Sequence, residues 1–340
     1  YNIAWTHTQD SKANPFFNFS ASVNITSNKF YNNTVNNSHI FNQSALNAQQ
    51  NSTVSFTKRF LNLPITITGT GSYSQNFTTG LTDIRLPQLN VSTNQFYLFK
   101  PKTGIRTGML ENITVNTGLQ FSNYGSGVKS GDLFTKTMWD NMQTGAKNKI
   151  ELATNTTVAK FFTFSLGANI DNVATTKTIS KNYNPVTNTL ERNLNKNLTG
   201  YSTFSTSASL QTVLYGMLKF GEKSKIQAIR HMVTPSIGFT YSPDFGDPKF
   251  GYFKSYYDET GVLTTYSIFE GGMFGSPNQG LTQSIGFNIN NNLEMKVRSK
   301  TDSTGTKKVK IFESLNISGG YNFAADKYKW SLISISTQTS

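Results

Sequence analysis

S-I-G-F-N-I-N-N-N-L-E-M-K-V, residues 284–297, places Ile285, Phe287, Ile289, Leu293, Met295 and Val297 at alternate positions, with Asn291 the one interruption. Gly286, Asn288, Asn290, Asn292, Glu294 and Lys296 stand between them. Successive side chains of a strand point to opposite faces, so the segment predicts a strand with one apolar and one polar face. It is far longer than the ~5–6 residues usual in soluble proteins. It exceeds the roughly 9–11 tilted residues that cross a bilayer.

The same pattern recurs on both sides of this run. Phe17, Phe19, Ala21, Val23 and Ile25 alternate with Asn, Ser and Thr. Val54, Phe56 and Phe60 follow, then Ile65, Ile67 and Tyr73, with Gly69 and Gly71 on the same face. Pro87 interrupts the run Ile84–Val91 and predicts a bulge or an edge there, since proline cannot donate to a ladder. Ile113–Phe121, Phe162–Ile170, a very long Phe204–Leu218, Ile226–Tyr241, Leu315–Phe323 and Trp330–Ser336 complete the series. Long loops are expected near 28–52, 123–146, 182–199 and 242–280. Allowing ~25 residues per strand and connection gives about 13–14 strands, alternately up and down. The expected architecture is therefore all-β, an antiparallel up-and-down transmembrane β-barrel, with residues 1–340 a segment of one barrel domain. Alternation runs into both ends, from Y-N-I-A-W-T-H-T to W-S-L-I-S-I-S-T-Q-T-S, so the barrel is expected to be partial and open.

Composition narrows the class. Of 340 residues, 36% are hydrophobic and 14% charged, against roughly 45–50% and 25% in soluble domains. Asn, Ser and Thr replace the missing charge. Disordered chains are poor in aromatics, whereas this one has 26 Phe, 15 Tyr and 3 Trp. No long apolar run of the kind a helical span needs is present. With no Cys there is neither a disulfide nor a thiolate metal site. The net charge of +13 is spread over polar faces and turns, densest at T-K-K-V-K, Thr306–Lys310. That distribution does not point to nucleic acid. Soluble antiparallel sheets, as in a surface adhesin, also alternate. Long strands, aromatics near strand ends and apolar faces nearly free of charge favour the membrane.

Around Ile226 the chain reads I-Q-A-I-R-H-M-V-T-P-S-I-G-F-T-Y-S-P, followed by Y-S-I-F-E-G-G-M-F-G at Tyr266–Gly275 and the strand from Ser284. With W-T-H-T-Q-D-S-K-A-N-P-F-F-N-F-S-A-S-V near the start, L-Y-G-M-L-K-F at Leu214 and N-N-N-L-E-M-K-V at Asn290, this ordered set resembles the barrel of the LptD family, in its Bacteroidetes form. These are the lipopolysaccharide assembly proteins of Gram-negative outer membranes. The resemblance implies a translocon that inserts lipopolysaccharide into the outer leaflet of the cell outer membrane. It implies membrane lipid, a plug lipoprotein of the LptE kind and a periplasmic Lpt bridge as partners, with first and last strands that part sideways. The family's jelly-roll domain and cysteines have no counterpart here, and no gate residue carries over. A passive porin or nutrient-uptake barrel is the alternative, and a soluble β-sheet adhesin a third.

The resemblance marks Arg230, His231, Pro235 and Tyr241 as candidate residues. Arg230 suits a lipid phosphate; the plainer reading is a charged strand end beside a proline that ends pairing. Lys58, Lys160, Lys219 and Lys296 are expected to face the lumen, where they steer an anionic glycolipid or are simply solvated. His7 and His39 have no acidic neighbours at ligand spacing, so no metal is expected. No Ser–His arrangement is recognisable, so neither catalysis nor a cofactor is expected.

Overall fold

The computed structural model describes residues 2–26, 49–99, 104, 108–221, 224–300 and 305–339. Its strands are β1 (Asn2–Thr8), β2 (Phe17–Thr26), β3 (Gln49–Arg59), β4 (Ile65–Asn76), β5 (Leu81–Thr93) and β6 (Phe96–Tyr97). Then come β7 (Thr114–Lys129), β8 (Gln143–Val158), β9 (Phe162–Asn184), β10 (Thr189–Thr212), β11 (Leu214–Lys219) and β12 (Ile226–Ser242). The last are β13 (Phe253–Tyr257), β14 (Leu263–Ser267), β15 (Thr282–Arg298), β16 (Thr306–Asn322) and β17 (Ser334–Gln338). One short helix, Lys136–Asn141, sits between β7 and β8 and lays Met138 against Ile84 and Met142.

Fifteen strands form one antiparallel sheet in the order β1-β2-β3-β4-β5-β7-β8-β9-β10-β12-β15-β16-β17, with β6 beside β7 and β11 beside β12. Neighbours in sequence are neighbours in space, as an up-and-down wall requires. β10 and β11 are one crossing. Their pairing to β12 lapses only opposite Thr234 and Pro235, between Gln211↔Ser236 and Leu214↔Val233, and resumes in the same register. Pro235 does not end β12, which stays paired to β15 through Pro235↔Ile289. The missing proline N–H is felt on one side of the strand alone. At Pro87 the register shifts between Arg85 and Gln88, the bulge that its sequence predicts.

The two faces have opposite chemistry. Through the paired register, Phe17, Phe19, Phe56, Ile67, Leu89, Leu119, Ile150, Ile170, Phe204, Ile237, Phe287 and Ile317 share one face. The positions between them are mainly Ser, Thr, Asn, Gly and charged residues. No second layer covers the apolar face: Ile237 is 47% and Leu218 66% exposed. Among the described residues only ten hydrophobic side chains are buried. A water-soluble sandwich of this size would bury its Phe-rich faces against each other. This chain is an outer-membrane-type barrel wall whose solvent on that side is lipid.

Two expected loops differ. Residues 182–199 are strand: β9 and β10 pair continuously from Asn184↔Thr189 down to Lys177↔Lys196, around a turn at 185–188. Residues 123–146 are mostly β7 and β8, leaving 130–142 as the connection. Of 28–52, residues 49–52 belong to β3 and the rest lies outside the described residues. The long connections 130–142, 243–281 and 323–333 all emerge at one end of the wall. The other end carries 9–16, 60–64, 159–161, 220–225 and 299–305, with 98–113 its one long connection among the described strands.

Candidate functional site: a polar wall crossed by a folded connection

The polar face is charged where β8 meets β9. Lys147 reaches Asp171 at 3.3 Å and Lys149 reaches Glu151 at 2.5 Å, all on the side opposite Ile150 and Ile170. Asn116 Nδ2 donates to Glu151 from β7. Such a row is stable only against water or a polar ligand.

The connection 243–281 lies across this face. It leaves β12 beside the edge of β10, where the Tyr252 hydroxyl accepts from Ser202 N (3.0 Å) and donates to Ser202 O (3.2 Å). Its hairpin, β13 with β14, then reaches the far edge of β9, where Ile179 N donates to Ile268 O and Lys181 N to the Tyr266 hydroxyl. Between the two edges Phe269 is buried against Val173 and Tyr201, with the Phe269 and Tyr201 rings 4.7 Å apart. Val173 and Tyr201 are cross-strand partners three residues from Ile170 and Phe204, hence on the polar side. The Tyr201 hydroxyl donates to Gly275 O at 3.0 Å. Gly145 has no room for a side chain: a Cβ there would stand 2.9 Å from Ala174 O and 3.1 Å from the Phe274 ring. Asp244 Oδ1 accepts from both Gly246 N and Gly280 N, tying the two ends of the connection together.

Glu270 fixes the connection electrostatically. Lys181 and Arg192 stand directly opposite each other on β9 and β10, a like-charge pair that destabilises a sheet when left alone. Glu270 accepts from Lys181 Nζ at 2.5 Å and from Arg192 Nη2 at 2.7 Å. The Lys181 hydrogen bond, and then the two positive charges, hold its carboxyl below the usual 4.5. At the β13–β14 turn, hydrogen bonds from the Thr260 hydroxyl and Val262 N hold Asp258 below its ordinary value.

The candidate residues do not converge. Arg230 lies on the polar face and pairs with Glu294 at 2.9 Å. His231 lies on the apolar face, opposite Gly216 and Leu293, with Nε2 3.2 Å from Asn291 Oδ1. The one polar interruption of the 284–297 run thus meets the one imidazole of its neighbour. Pro235 and Tyr241 share the face of His231. Lys58 stands between Phe17 and Ile67 on the apolar face, not the lumen side, at a strand end where its stem covers apolar surface. Lys160 is in the turn 159–161 with a left-handed backbone, not on the wall. Lys219 and Lys296 are on the polar face, both at the level of Ala228. Lys181, Arg192, Tyr201 and Glu270 were not singled out from the sequence. Glu270 lies inside the quoted Tyr266–Gly275 segment, the one signal that pointed to it.

The sequence model described as "LptD protein" matches residues 1–340. No curated protein matches the chain. Among solved structures, the outer membrane transporter YddB from Escherichia coli is similar at 12% identity. That likeness covers 85% of this chain, which spans about a third (35%) of the transporter's length, and its TM-score is 0.28.

Proposed function

Because this chain belongs to the LptD protein family along its whole length, we propose that it is the barrel wall of a translocon that inserts lipopolysaccharide into the outer leaflet of the outer membrane. The observation that carries the reading is the pairing of two surfaces on one sheet: an uncovered apolar face and a polar, charged one. A sugar-phosphate head cannot enter hydrocarbon, because an unpaired buried charge is very costly. Acyl chains gain about 0.8 kcal/mol per CH₂ on leaving water. A polar-lined wall bordered by lipid offers each half of the molecule its own solvent. The long-connection end faces the exterior and the short-turn end the periplasm, as in other outer-membrane barrels. A plug lipoprotein of the LptE kind inside the barrel and the periplasmic Lpt bridge below it complete the path.

Depletion of the protein tests this. Newly made lipopolysaccharide should stop reaching the cell surface and accumulate inside. Depleted cells that keep normal surface glycolipid while losing uptake of a small solute would instead favour a porin or nutrient-uptake barrel.

A further inference from the structure

At the short-turn end of the wall, the register gathers cations that are scattered in the sequence. Lys219 pairs with Ala228, Ala228 with Lys296, and Lys296 with Lys308, so three lysines occupy one row across β11, β12, β15 and β16. The next row up reads Met217, Arg230, Glu294 and Lys310. Both rows lie on the polar side, because Leu218, Ile229, Met295 and Val309 between them form a row on the apolar face. Lys308 and Lys310 come from the T-K-K-V-K cluster, whose polar-side members are thereby aimed at the lumen.

The two rows differ in how their charge is balanced. In the upper one Glu294 stands between two cations and binds Arg230, while Lys310 is held by Glu313. In the lower one the residue between the lysines is Ala228. Among the described residues none of Lys219, Lys296 and Lys308 has an acidic partner. Lys296 and Lys308 are direct cross-strand partners, an arrangement that weakens a sheet. All three are exposed, so their ammonium groups are free to converge. Adjacent strands lie about 4.8 Å apart, a spacing at which two flexible lysines reach the oxygens of one phosphate.

We infer that Lys219, Lys296 and Lys308 form a docking station for lipid-borne phosphate at the periplasmic mouth of the lumen. The inference rests on the translocon reading and names the part of the substrate that this end of the wall holds. With no acidic partner among the described residues, the row supplies an attractive field where an anionic head must leave the periplasm and enter the lumen. Charge balance one row higher lets the head pass on without being trapped.

The test is binding by the full-length protein, purified with its partners in detergent. The probes are lipopolysaccharide, the same material stripped of phosphate by phosphatase, and inorganic pyrophosphate as competitor. The variants are K296Q/K308Q, the charge-keeping K296R/K308R, and K307Q on the opposite face. Lipopolysaccharide binding should weaken about tenfold in K296Q/K308Q, and hold in K296R/K308R and K307Q. The phosphatase-treated form should bind the wild type as weakly as lipopolysaccharide binds K296Q/K308Q. Competition by pyrophosphate assigns the contact to phosphate itself; its failure, with loss in the variant, would assign it to another acidic group of the head and overturn the inference. Equal binding of both lipid forms by the wild type would overturn it too, as would an unchanged K296Q/K308Q. So would loss of a protein partner from K296Q/K308Q with lipid binding intact, since the row would then be a protein-docking surface. Should K296Q/K308Q fail to fold by heat-modifiable gel migration, K219Q with K308Q replaces it under the same criteria. Failure of the translocon reading is separately visible as normal surface glycolipid on depletion.

Discussion

Glu270 joins two cations that the sheet would otherwise hold in opposition, and its effect can be read through pH. Its carboxyl is held below 4.5 in the folded protein. Its contribution is therefore fully present above the unfolded carboxylate value and disappears as pH falls through the depressed one. Hydrogen exchange in 243–281 should stay protected from neutral pH down to the ordinary carboxylate range and open below it. In E270Q the docking should be weaker by about 1 kcal/mol, since Glu270 is 40% exposed and surface pairs are screened. The acid step should also vanish. An unaltered acid step in E270Q would mean that another group governs the docking. His231 and Asn291 pose the same kind of question on the lipid side. Removing one partner strands the other, whereas removing both leaves apolar surface. N291L alone should lower stability to heat in detergent by about 1–2 kcal/mol, and H231L/N291L by less. Additive losses would show that the 3.2 Å contact carries no coupling.

At the scale of the element, β9 and β10 change character along their length. From Phe162 to Ile170 the even positions are apolar and face lipid, whereas farther on Val173, Ile179 and Tyr183 put apolar groups on the other side. An extra residue in β10 between Lys196 and Thr199 carries its pattern through the same change. The outward positions become Ser180, Asn182, Asn193 and Asn195. The switch marks where the wall leaves hydrocarbon for water. It also explains why 182–199 reads as a loop: both sides are rich in Asn, and the few leucines keep the even numbering of Phe204 and Leu210 yet turn to the other face at the extra residue. Strands within the membrane were legible because one solvent enforces one phase. Lys58 was expected in the lumen, yet it continues the alternation of Val54 and Phe56 onto the apolar face, a signal outweighed by its charge. The pairing of Glu294 with Lys310 was not legible, because it depends on register shifts at Leu293. Nor was the placement of Phe269, which needs contacts across some 70 to 100 residues of chain. The lack of Cys in these 340 residues allows a direct check. Single cysteines at Ile170 and Phe204 should resist a membrane-impermeant maleimide in intact cells, while those at Ser180 and Asn193 should react. Reaction at Phe204 would move the boundary into the wall.

For the molecule as a whole, a polar lumen is a liability unless something closes it, because an open water path through an outer membrane admits toxic solutes. The connection 243–281 is expected to obstruct that path. It grips both edges of the β9–β10 hairpin, buries Phe269 on the polar face and reaches Gly145 of β8 with Phe274. None of these contacts belongs to the strand ladder, so the wall should survive without them. Replacing residues 246–279 by a short glycine-containing turn, which keeps Asp244 and Gly280 as its ends, should leave a folded, heat-modifiable barrel. In planar bilayers it should give larger and steadier conductance than the parent, and cells should become sensitive to large antibiotics normally excluded. F274A should do the same in milder form, since it removes the ring that closes over Gly145 and leaves the strand ladder untouched. Conductance and sensitivity that remain at the parent level in both variants would mean that the connection leaves the lumen open and that closure lies with another part of the assembly.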